Sequence, residues 1–287
     1  MMPLPRFFAD YQQRVDAELR RLMPANTQRV GEAMAYTLLA PSKRVRPVLT
    51  LLSAELCGGA AGNALVAACA VEMVHASSLI LDDLPSMDDA ATRRGRPANH
   101  VAHGEAIAIL AAFGLLDAAF GAIARGCEPA LVPQLTTLLS DAIGEDGLIG
   151  GQAADLLATD QSISFEMLER IHRGKTGALF SAAATAGALT AGAPHDAIAS
   201  LQAFAKNLGL AFQIIDDLLD VEGDPAITGK PVREDLKKTT FVSFSGPAGA
   251  RQIATELCHT ADRALTPFGH RAVRLRELSA FVAARSG

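Results

Sequence analysis

Tryptophan is missing from this chain of 287 residues, which has only two tyrosines and an aromatic content of 5%. Large aromatic side chains therefore cannot fill much of the interior, and we expect a core of Leu, Ala, Val and Ile between closely packed helices. The four cysteines show no CysXXCys spacing. We therefore expect reduced thiols in a cytoplasmic protein rather than a disulfide framework.

Long apolar runs and excess positive charge are also absent. The most apolar stretch, residues 106–116, ends at Asp117, well short of the ~20 residues that span a bilayer. We expect a buried helix there, and no integral membrane segment. A net charge of −5 argues against a nucleic-acid partner. His100 and His103 lack further ligands for zinc, and the N-terminus lacks a signal-peptide pattern, which also favours a cytoplasmic protein.

Alanine is abundant in long segments of helical apolar periodicity. Short breaks separate these segments at residues 58–62, 125–133, 191–195 and 245–249. No linker, repeat or shift in composition divides the chain. The pattern predicts an all-α fold, a single large helical bundle over residues 1–287.

Two clusters of aspartate stand out. The first consists of Asp82, Asp83 and Asp88, and the second of Asp216, Asp217 and Asp220. Carboxylates repel one another unless cations neutralise them, so two clusters that meet across a cavity would bind hard divalent metals. Because Mg²⁺ keeps waters and seeks phosphate oxygens, the clusters predict an enzyme that holds a diphosphate through magnesium.

Helical periodicity places both clusters. Apolar residues recur every three or four positions from residue 201 to 218, and Gln213 shares another stripe with the second cluster. Residues 64–81 predict a second helix, on which His75 and Ser78 share a face with Asp82. Because Pro85 disfavours helix, we expect this helix to end or bulge there and let Asp88 turn back.

Basic residues flank both clusters. They are Lys43, Arg46, Arg93, Arg94, Lys175, Lys230, Lys237 and Lys238. Lys43 and Arg46 would share a helix face if their segment is helical, and guanidinium groups suit bidentate contacts with phosphate. Any one of these pairs alone is usually surface charge. Together, in an acidic chain, they predict two anion pockets beside the metals.

The whole chain resembles the trans-isoprenyl diphosphate synthases, and residues 79–110 are especially similar to bacterial carotenoid-type geranylgeranyl diphosphate synthases. The resemblance rests on the two aspartate motifs, with LysXXArg before the first and ArgArgGly after it. GlyGlyGln at 150–152, LysThrGly at 175–177 and PheGln at 212–213 complete the set. It implies an isoprenoid synthase-type bundle around a central active-site cavity, a homodimer and three Mg²⁺ ions.

The resemblance also implies roles for the individual residues. Asp82, Asp88 and Asp216 would bind metal, with Asp83, Asp217 and Asp220 as further ligands or as support for them. The allylic diphosphate would be held by Arg93, Lys175, Thr176, Gln213 and Lys230. Isopentenyl diphosphate would bind without metal to Lys43, Arg46, His75 and Arg94. Whether Lys237 or Lys238 contacts diphosphate stays open.

The chain departs from the wider family pattern at two places. Pro41-Ser42 stands before Lys43 where many members have two glycines, which restricts the backbone there. Ala112-Phe113 stands where many members have GlyAsp, a change that resembles the carotenoid-type branch. The first departure bears directly on the geometry of the isopentenyl pocket.

The expected chemistry fits these residue types. Magnesium and basic side chains stabilise charge on the leaving diphosphate, the double bond of isopentenyl diphosphate attacks the allylic cation, and by resemblance the departing diphosphate takes the proton. Water must be excluded, and residues 221–240, rich in Gly, Pro and charge, form the predicted lid.

Ser77 and Ser78 concern product length. Similar farnesyl-making enzymes of bacteria carry an aromatic residue five positions before the first aspartate, and this chain has Ser77 there. We therefore expect geranylgeranyl diphosphate, of twenty carbons, with farnesyl diphosphate as the alternative. The downstream pathway and the preferred allylic starter stay open.

Three other classes of protein fit the sequence less well than a prenyl diphosphate synthase. A class I terpene cyclase usually has an AsnSerGlu-type second motif, unlike the second aspartate cluster here. A non-catalytic subunit of a heteromeric synthase would be expected to have lost an aspartate or arginine motif. A purely structural helical protein gives no reason for acidic clusters beside phosphate-type cations.

Overall fold

The computed structural model describes residues 6–23, 28–222 and 239–284, most of which are helical. The α-helices are α1 (Arg6–Leu22), α2 (Arg29–Leu38), α3 (Val45–Leu56), α4 (Ala61–Asp82), α5 (Asn99–His103), α6 (Glu105–Gly126), α7 (Val132–Ile143), α8 (Leu148–Leu157), α9 (Phe165–His172), α10 (Ala178–Thr190), α11 (His195–Glu222), α12 (Phe241–Ala264) and α13 (Val273–Ala283). A π-helix (Arg173–Gly177), a 3-10 helix (Thr266–Ala272) and a hairpin of β1 (Thr92–Arg93) and β2 (Arg96–Pro97) complete the described elements. The all-α prediction is confirmed.

Three of the four predicted breaks are connections between helices: α3 to α4, α6 to α7, and α10 to α11. The fourth prediction, at residues 245–249, is confirmed as a break within α12, because the backbone of Gly246 is not helical there. Gly246 takes a positive φ of 70° and Pro247 follows it, so the helix is kinked there. A capping box between Thr240 and Ser243 begins the same helix.

Small residues bring the central helices close together. α10 buries five alanines and packs between α3 and α11. At Gly187 an added Cβ would lie 2.0 Å from the carbonyl oxygen of Thr50 on α3, so only glycine permits this approach. The expectation of a core with few aromatics and close helix contacts is therefore confirmed in α10.

The larger hydrophobic cluster joins both ends of the chain. It contains Phe8 from α1, Met73 from α4, Phe204 from α11 and Val282 from α13. A smaller cluster around Ile214 and Phe241 packs α9, α11 and the start of α12 together. A shared core of this extent supports the single-domain prediction for residues 1–287, which stays a prediction.

Three helices, α4, α6 and α11, are long and apolar enough to cross a membrane by length and composition alone. All three pack within the bundle, α4 against α6 and α11 against α12. The expectation of a buried helix at α6 is only partly met. Ile109, Leu110 and Phe113 are exposed on one of its faces, Phe113 by 64%.

Candidate active site

The first aspartate motif folds back on itself. α4 ends at Asp82, and the backbone N–H of Asp88 then donates to the carbonyl oxygen of Asp82 at 2.9 Å. Asp89 adopts a positive φ of 48° within this turn. The predicted helix end and the return of Asp88 toward Asp82 are both confirmed.

Asp82 lies in a strongly charged environment. Burial raises the pKa of its carboxyl group, the nearby carboxylates of Asp88 and Asp83 act in the same direction, and Lys175 and Arg93 oppose them. The carboxylate is therefore destabilised by its surroundings and would be stabilised by an additional cation. Lys175 and Arg93, both predicted to hold the allylic diphosphate, lie near enough to act on this group.

Asp83 has a different environment from Asp82. It is buried, and its Oδ1 accepts a hydrogen bond of 2.8 Å from Arg93 Nε. The β1–β2 hairpin, whose first strand ends at Arg93, turns at Arg94-Gly95. Both turn residues have a positive φ, 55° and 71°, as in a type I′ turn. Asp83 thus anchors the hairpin, which fits the supporting role among the two that the resemblance left open.

The second motif lies on α11, as the periodicity predicted. Asp216 and Asp220 are half-buried, whereas Asp217 is buried. Asp217 Oδ1 accepts from Gln213 Nε2 at 3.0 Å, and its Oδ2 accepts from the backbone N–H of Phe241 at 3.3 Å. Asp217 therefore fixes the start of α12 against α11.

Thr176 and Lys175 belong to the π-helix that faces both motifs. Thr176 Oγ1 donates to Gln213 Oε1 at 2.9 Å, which extends the polar chain from Asp217 to the π-helix. Lys175 Nζ forms an ion pair of 2.8 Å with Asp155 on α8. An added Cβ at Gly151 would lie 2.2 Å from the backbone nitrogen of Lys175, so α8 packs directly on this helix.

Asp155 was missed in the sequence. The sequence did contain an indication of its role, because Asp155 follows Gln152 by three residues and so lies on the same face of α8. Gln152 is buried and contacts the sulfur of Met87 through Nε2 at 3.7 Å. The GlyGlyGln motif thus places Asp155 against Lys175 and Gln152 against the loop of the first aspartate motif.

Arg46 and His75 form the centre of a basic pocket. Arg46 NH1 lies 3.3 Å from His75 Nε2, and the guanidinium carbon is 4.6 Å from the centre of the Phe180 ring. Its Nε is buried without a hydrogen-bond partner in the described part of the chain. Burial lowers the pKa of Arg46 to about 10. A buried donor of this kind is suited to an anionic ligand.

His75 is neutral in this environment. Burial first, and then the positive charges of Arg46 and Arg94, hold the pKa of His75 well below its ordinary value. Burial also lowers the pKa of Arg94, and Glu72 on α4 opposes this shift. These three predicted ligands of isopentenyl diphosphate therefore lie close enough to interact.

Lys43 does not share a helix face with Arg46. α3 begins at Val45, and Arg44 before it adopts a left-handed conformation with φ 50° and ψ 38°. Lys43 therefore lies in the loop and Arg46 in the first turn of the helix. Arg44 and its buried partner Glu72 are not indicated by the sequence pattern, because single charges carry no periodic signal.

The acidic and basic groups act on one another across the bundle. Burial lowers the pKa of Arg46, and the charge of Asp216 on α11 raises it. Burial raises the pKa of Asp82, and the charge of Lys175 lowers it. Lys230, Lys237, Lys238 and most of the predicted lid, 223–238, lie outside the described residues. Within the described ranges the charges of the two aspartate motifs and of the basic pocket thus lie near enough to affect one another.

No three His, Cys, Asp or Glu side chains are close enough to hold a metal ion by themselves in the described residues. The chemistry of the acidic side nevertheless fits Mg²⁺, which is bound by one or two carboxylates together with waters and substrate phosphates. The raised pKa of Asp82 also indicates a carboxylate that a cation would stabilise.

Ser77 lies at the contact between α4 and α6. It is buried, and its Oγ donates to the carbonyl oxygen of Ala112 at 2.9 Å. Ser78 is half-buried, and its Oγ donates to the carbonyl oxygen of His75. A large side chain at Ser77 would therefore have to displace α6 or enter the space between the helices.

The family model for polyprenyl synthetases matches residues 27–247 of this chain. A chloroplastic geranylgeranyl pyrophosphate synthase of Capsicum annuum is 43% identical, over 89% of this chain and 71% of its own length. A farnesyl diphosphate synthase of Geobacillus stearothermophilus is 39% identical, over 99% and 98%. The crystal structure of an FPP/GFPP synthase from Zymomonas mobilis matches with a TM-score of 0.86 and 33% identity, covering 97% of this chain and 98% of that one.

Proposed function

The chain belongs to the polyprenyl synthetase family of trans-prenyltransferases, and we propose that it condenses isopentenyl diphosphate with allylic diphosphates in a Mg²⁺-dependent reaction. The observation that carries this proposal is the juxtaposition of two diphosphate-binding environments. Asp82 lies within the influence of Lys175 and Arg93, and Arg46, beside His75, lies within that of Asp216. Two substrates with diphosphate groups can thus meet in one site.

On the acidic side, Asp82, Asp88 and Asp216 would hold Mg²⁺, with Asp220 as a further candidate. An ion held there would supply positive charge to the diphosphate leaving group. Lys175, Thr176 and Gln213 orient that diphosphate, and Arg93, fixed by Asp83, adds positive charge. The preorganised cations stabilise the leaving group more than the intact ester, which lowers the barrier to ionisation.

On the basic side, Lys43, Arg46, His75 and Arg94 hold the diphosphate of isopentenyl diphosphate without metal. Neutral His75 orients the guanidinium of Arg46 through their contact of 3.3 Å. The double bond then attacks the allylic cation, a new carbon–carbon bond forms, and the departing diphosphate accepts the proton that is lost. Holding both reactants in this geometry replaces a collision in solution.

Geranylgeranyl diphosphate is the product that Ser77 favours, because a serine leaves room for a longer tail than an aromatic residue. Farnesyl diphosphate is the second candidate, since similar proteins carry both names. The decisive assay incubates the purified protein with isopentenyl diphosphate, Mg²⁺ and, in turn, dimethylallyl, geranyl or farnesyl diphosphate. A twenty-carbon product supports the proposal, a fifteen-carbon product would change its specificity, and no product from any starter would overturn it.

We also propose a homodimer in the cytoplasm. The exposed side chains of Ile109, Leu110 and Phe113 on α6, with Val101 on α5, form an apolar surface of the kind that is usually covered in an assembly. The variant Phe113→Asp should shift the mass in solution from dimer toward monomer, as light scattering would measure. The matched variant Phe244→Asp, at an exposed phenylalanine of α12, should leave the dimer intact.

A further inference from the structure

Arg44 is a buried arginine in the loop before α3, with only 3% of its surface exposed. Each of its three guanidinium nitrogens donates a hydrogen bond, two of them to neighbouring helices and one within the loop itself. Nε donates to Asp16 Oδ1 on α1 at 2.8 Å, NH1 donates to Glu72 Oε1 on α4 at 2.8 Å, and NH2 donates to the carbonyl oxygen of Ala40 at 3.2 Å. Arg44 therefore holds the loop before α3 against both α1 and α4.

Ser42 joins the same network. Its hydroxyl group accepts from the backbone N–H of Arg44 at 3.3 Å and lies 3.4 Å from Glu72 Oε1. Its carbonyl oxygen accepts from Gln12 on α1. The side chain and the carbonyl oxygen of Ser42 thus both help to hold the loop before α3.

The network lies directly beside two residues proposed to bind diphosphate. Lys43 lies between Ser42 and Arg44 in the loop, and Arg46 follows in the first turn of α3. Glu72 is three residues before His75 on α4, hence on the same face of that helix. One buried carboxylate thus connects the loop of Lys43 with the helix that carries His75.

Glu72 also supplies negative charge to the pocket. Besides its ion pair with Arg44, it opposes the lowering of the pKa of both Arg46 and Arg94 by burial. A carboxylate at this position offsets part of the cost of burying several cations close together.

We propose that Arg44 and Glu72 are positioning residues of the isopentenyl diphosphate pocket, holding Lys43, Arg46 and His75 in the arrangement that binds the diphosphate. This inference rests on the proposed function. Neither residue needs to touch the substrate. The strained left-handed conformation of Arg44 supports the proposal, because such strain in a non-glycine residue persists where the surrounding structure enforces it, and it clusters at binding sites.

The test is the variant Arg44→Lys, which keeps the charge but cannot reach three acceptors at once. We expect the KM for isopentenyl diphosphate to rise about tenfold, while the KM for geranyl diphosphate and the kcat at saturating substrates change less than about threefold. Calorimetric titration of isopentenyl diphosphate alone should show a matching loss of affinity. Glu72→Gln should reproduce the same pattern.

The matched control is Arg274→Lys. Arg274 on α13 forms an ion pair of 2.8 Å with Glu55 on α3 and likewise joins distant parts of the chain, but it does not contact the loop 39–44. It should lower the melting temperature without raising the KM for isopentenyl diphosphate. An equal rise in that KM for both arginine variants, or an unchanged KM in Arg44→Lys, would overturn the inference.

A milder variant, Ser42→Ala, keeps the test decisive if Arg44→Lys does not fold. Ser42 is half-buried, so the loss of its hydroxyl group should leave the fold intact and raise the KM for isopentenyl diphosphate about threefold. No change in that KM would contradict the inference. Failure of the wild type to make any product would instead overturn the proposed function on which it rests.

Discussion

The acidic and basic sides of the site handle their charges differently. On the acidic side, Asp82 and Asp216 are half-buried, and the pKa of Asp82 is raised by burial and by its fellow carboxylates. On the basic side, a built-in carboxylate, Glu72, already accompanies Arg44 and Arg46. Lys175 and Arg93 offset only part of the effect of burial on Asp82, and Glu72 offsets only part of that effect on Arg46, so each side is suited to a ligand of the opposite charge.

Within each aspartate motif, one aspartate stays accessible and the next one holds another part of the chain in place. Asp82 and Asp216 remain half-buried, whereas their neighbours Asp83 and Asp217 are buried and hold other elements in place. The basic side shows the same division, since Arg44 is fastened inside while Arg46 is presented to the pocket. Asp216 and Asp217 are consecutive on α11 and therefore point in different directions, so one can bind while the next supports.

The largest expected effect comes from removing the acidic side. Asp82→Ala and Asp216→Ala should each lower turnover at least ~10²-fold, because either change removes a carboxylate proposed to hold metal against the leaving diphosphate. Steady-state assays with circular dichroism as a check on folding would measure this. Asp196→Ala, at an exposed position of α11, should leave turnover unchanged. Near-wild-type turnover in a folded Asp82 or Asp216 variant would remove the two-sided model.

The second prediction separates the two sides by substrate. Arg46→Ala should raise the KM for isopentenyl diphosphate about tenfold, and Lys175→Ala or Lys230→Ala should do the same for the allylic substrate, because each removes uniform binding to one diphosphate. Initial rates with each substrate varied in turn would show the division. Equal effects on both substrates from each variant would mean that the two pockets are wrongly assigned.

Product length is a finer test, since it changes what the site makes rather than whether it works. Ser77→Tyr should shift the product toward farnesyl diphosphate, because the added ring occupies space beside α6 and overpacking costs about 1–3 kcal/mol. Ser77→Ala loses the hydrogen bond to Ala112 but adds no volume, so its products should match the wild type. Chromatography of the dephosphorylated products would decide. An active Ser77→Tyr enzyme with unchanged products would refute the role of Ser77.

The smallest expected effect concerns stability against pH. The pKa of His75 is lowered in the folded state from an ordinary value of 6.5, so below that value the unfolded chain binds a proton that the folded chain does not. His75 therefore makes the protein less stable as the pH falls below about 6.5. Urea unfolding from pH 7 to 5 should show a shallower loss of stability in His75→Gln than in the wild type. Parallel curves would contradict the neutral state of His75.

Asp82 should have the opposite effect on how stability depends on pH. Its raised pKa means that the folded chain holds a proton more tightly than the unfolded chain. The resulting stabilisation is complete below the ordinary value of 3.8 and is lost as the pH rises through the folded pKa. The difference from His75 lies only in the sign of the charge that burial disfavours.

Local patterns were sufficient to predict much of this protein from its sequence. The spacing of apolar residues predicted α4 and α11, and Pro85 predicted the end of α4. These features could be predicted because they depend on neighbours within a turn or two of helix. The aspartate and basic motifs predicted the candidate site by their residue types and order. The family comparisons confirm the family to which these motifs pointed.

Other features depended on contacts between distant parts of the chain. Nothing local distinguishes Asp82 from Asp83 or Arg46 from Arg44, and only the packing of α1, α4 and the β1–β2 hairpin decides which charge is buried against a partner. The position of Lys43 outside α3 and the exposed face of α6 are likewise set by the surrounding helices. The sequence by itself determined which groups the site contains, whereas the tertiary structure determined which of them are presented and which are held, because burial and pairing are properties of the neighbours in space.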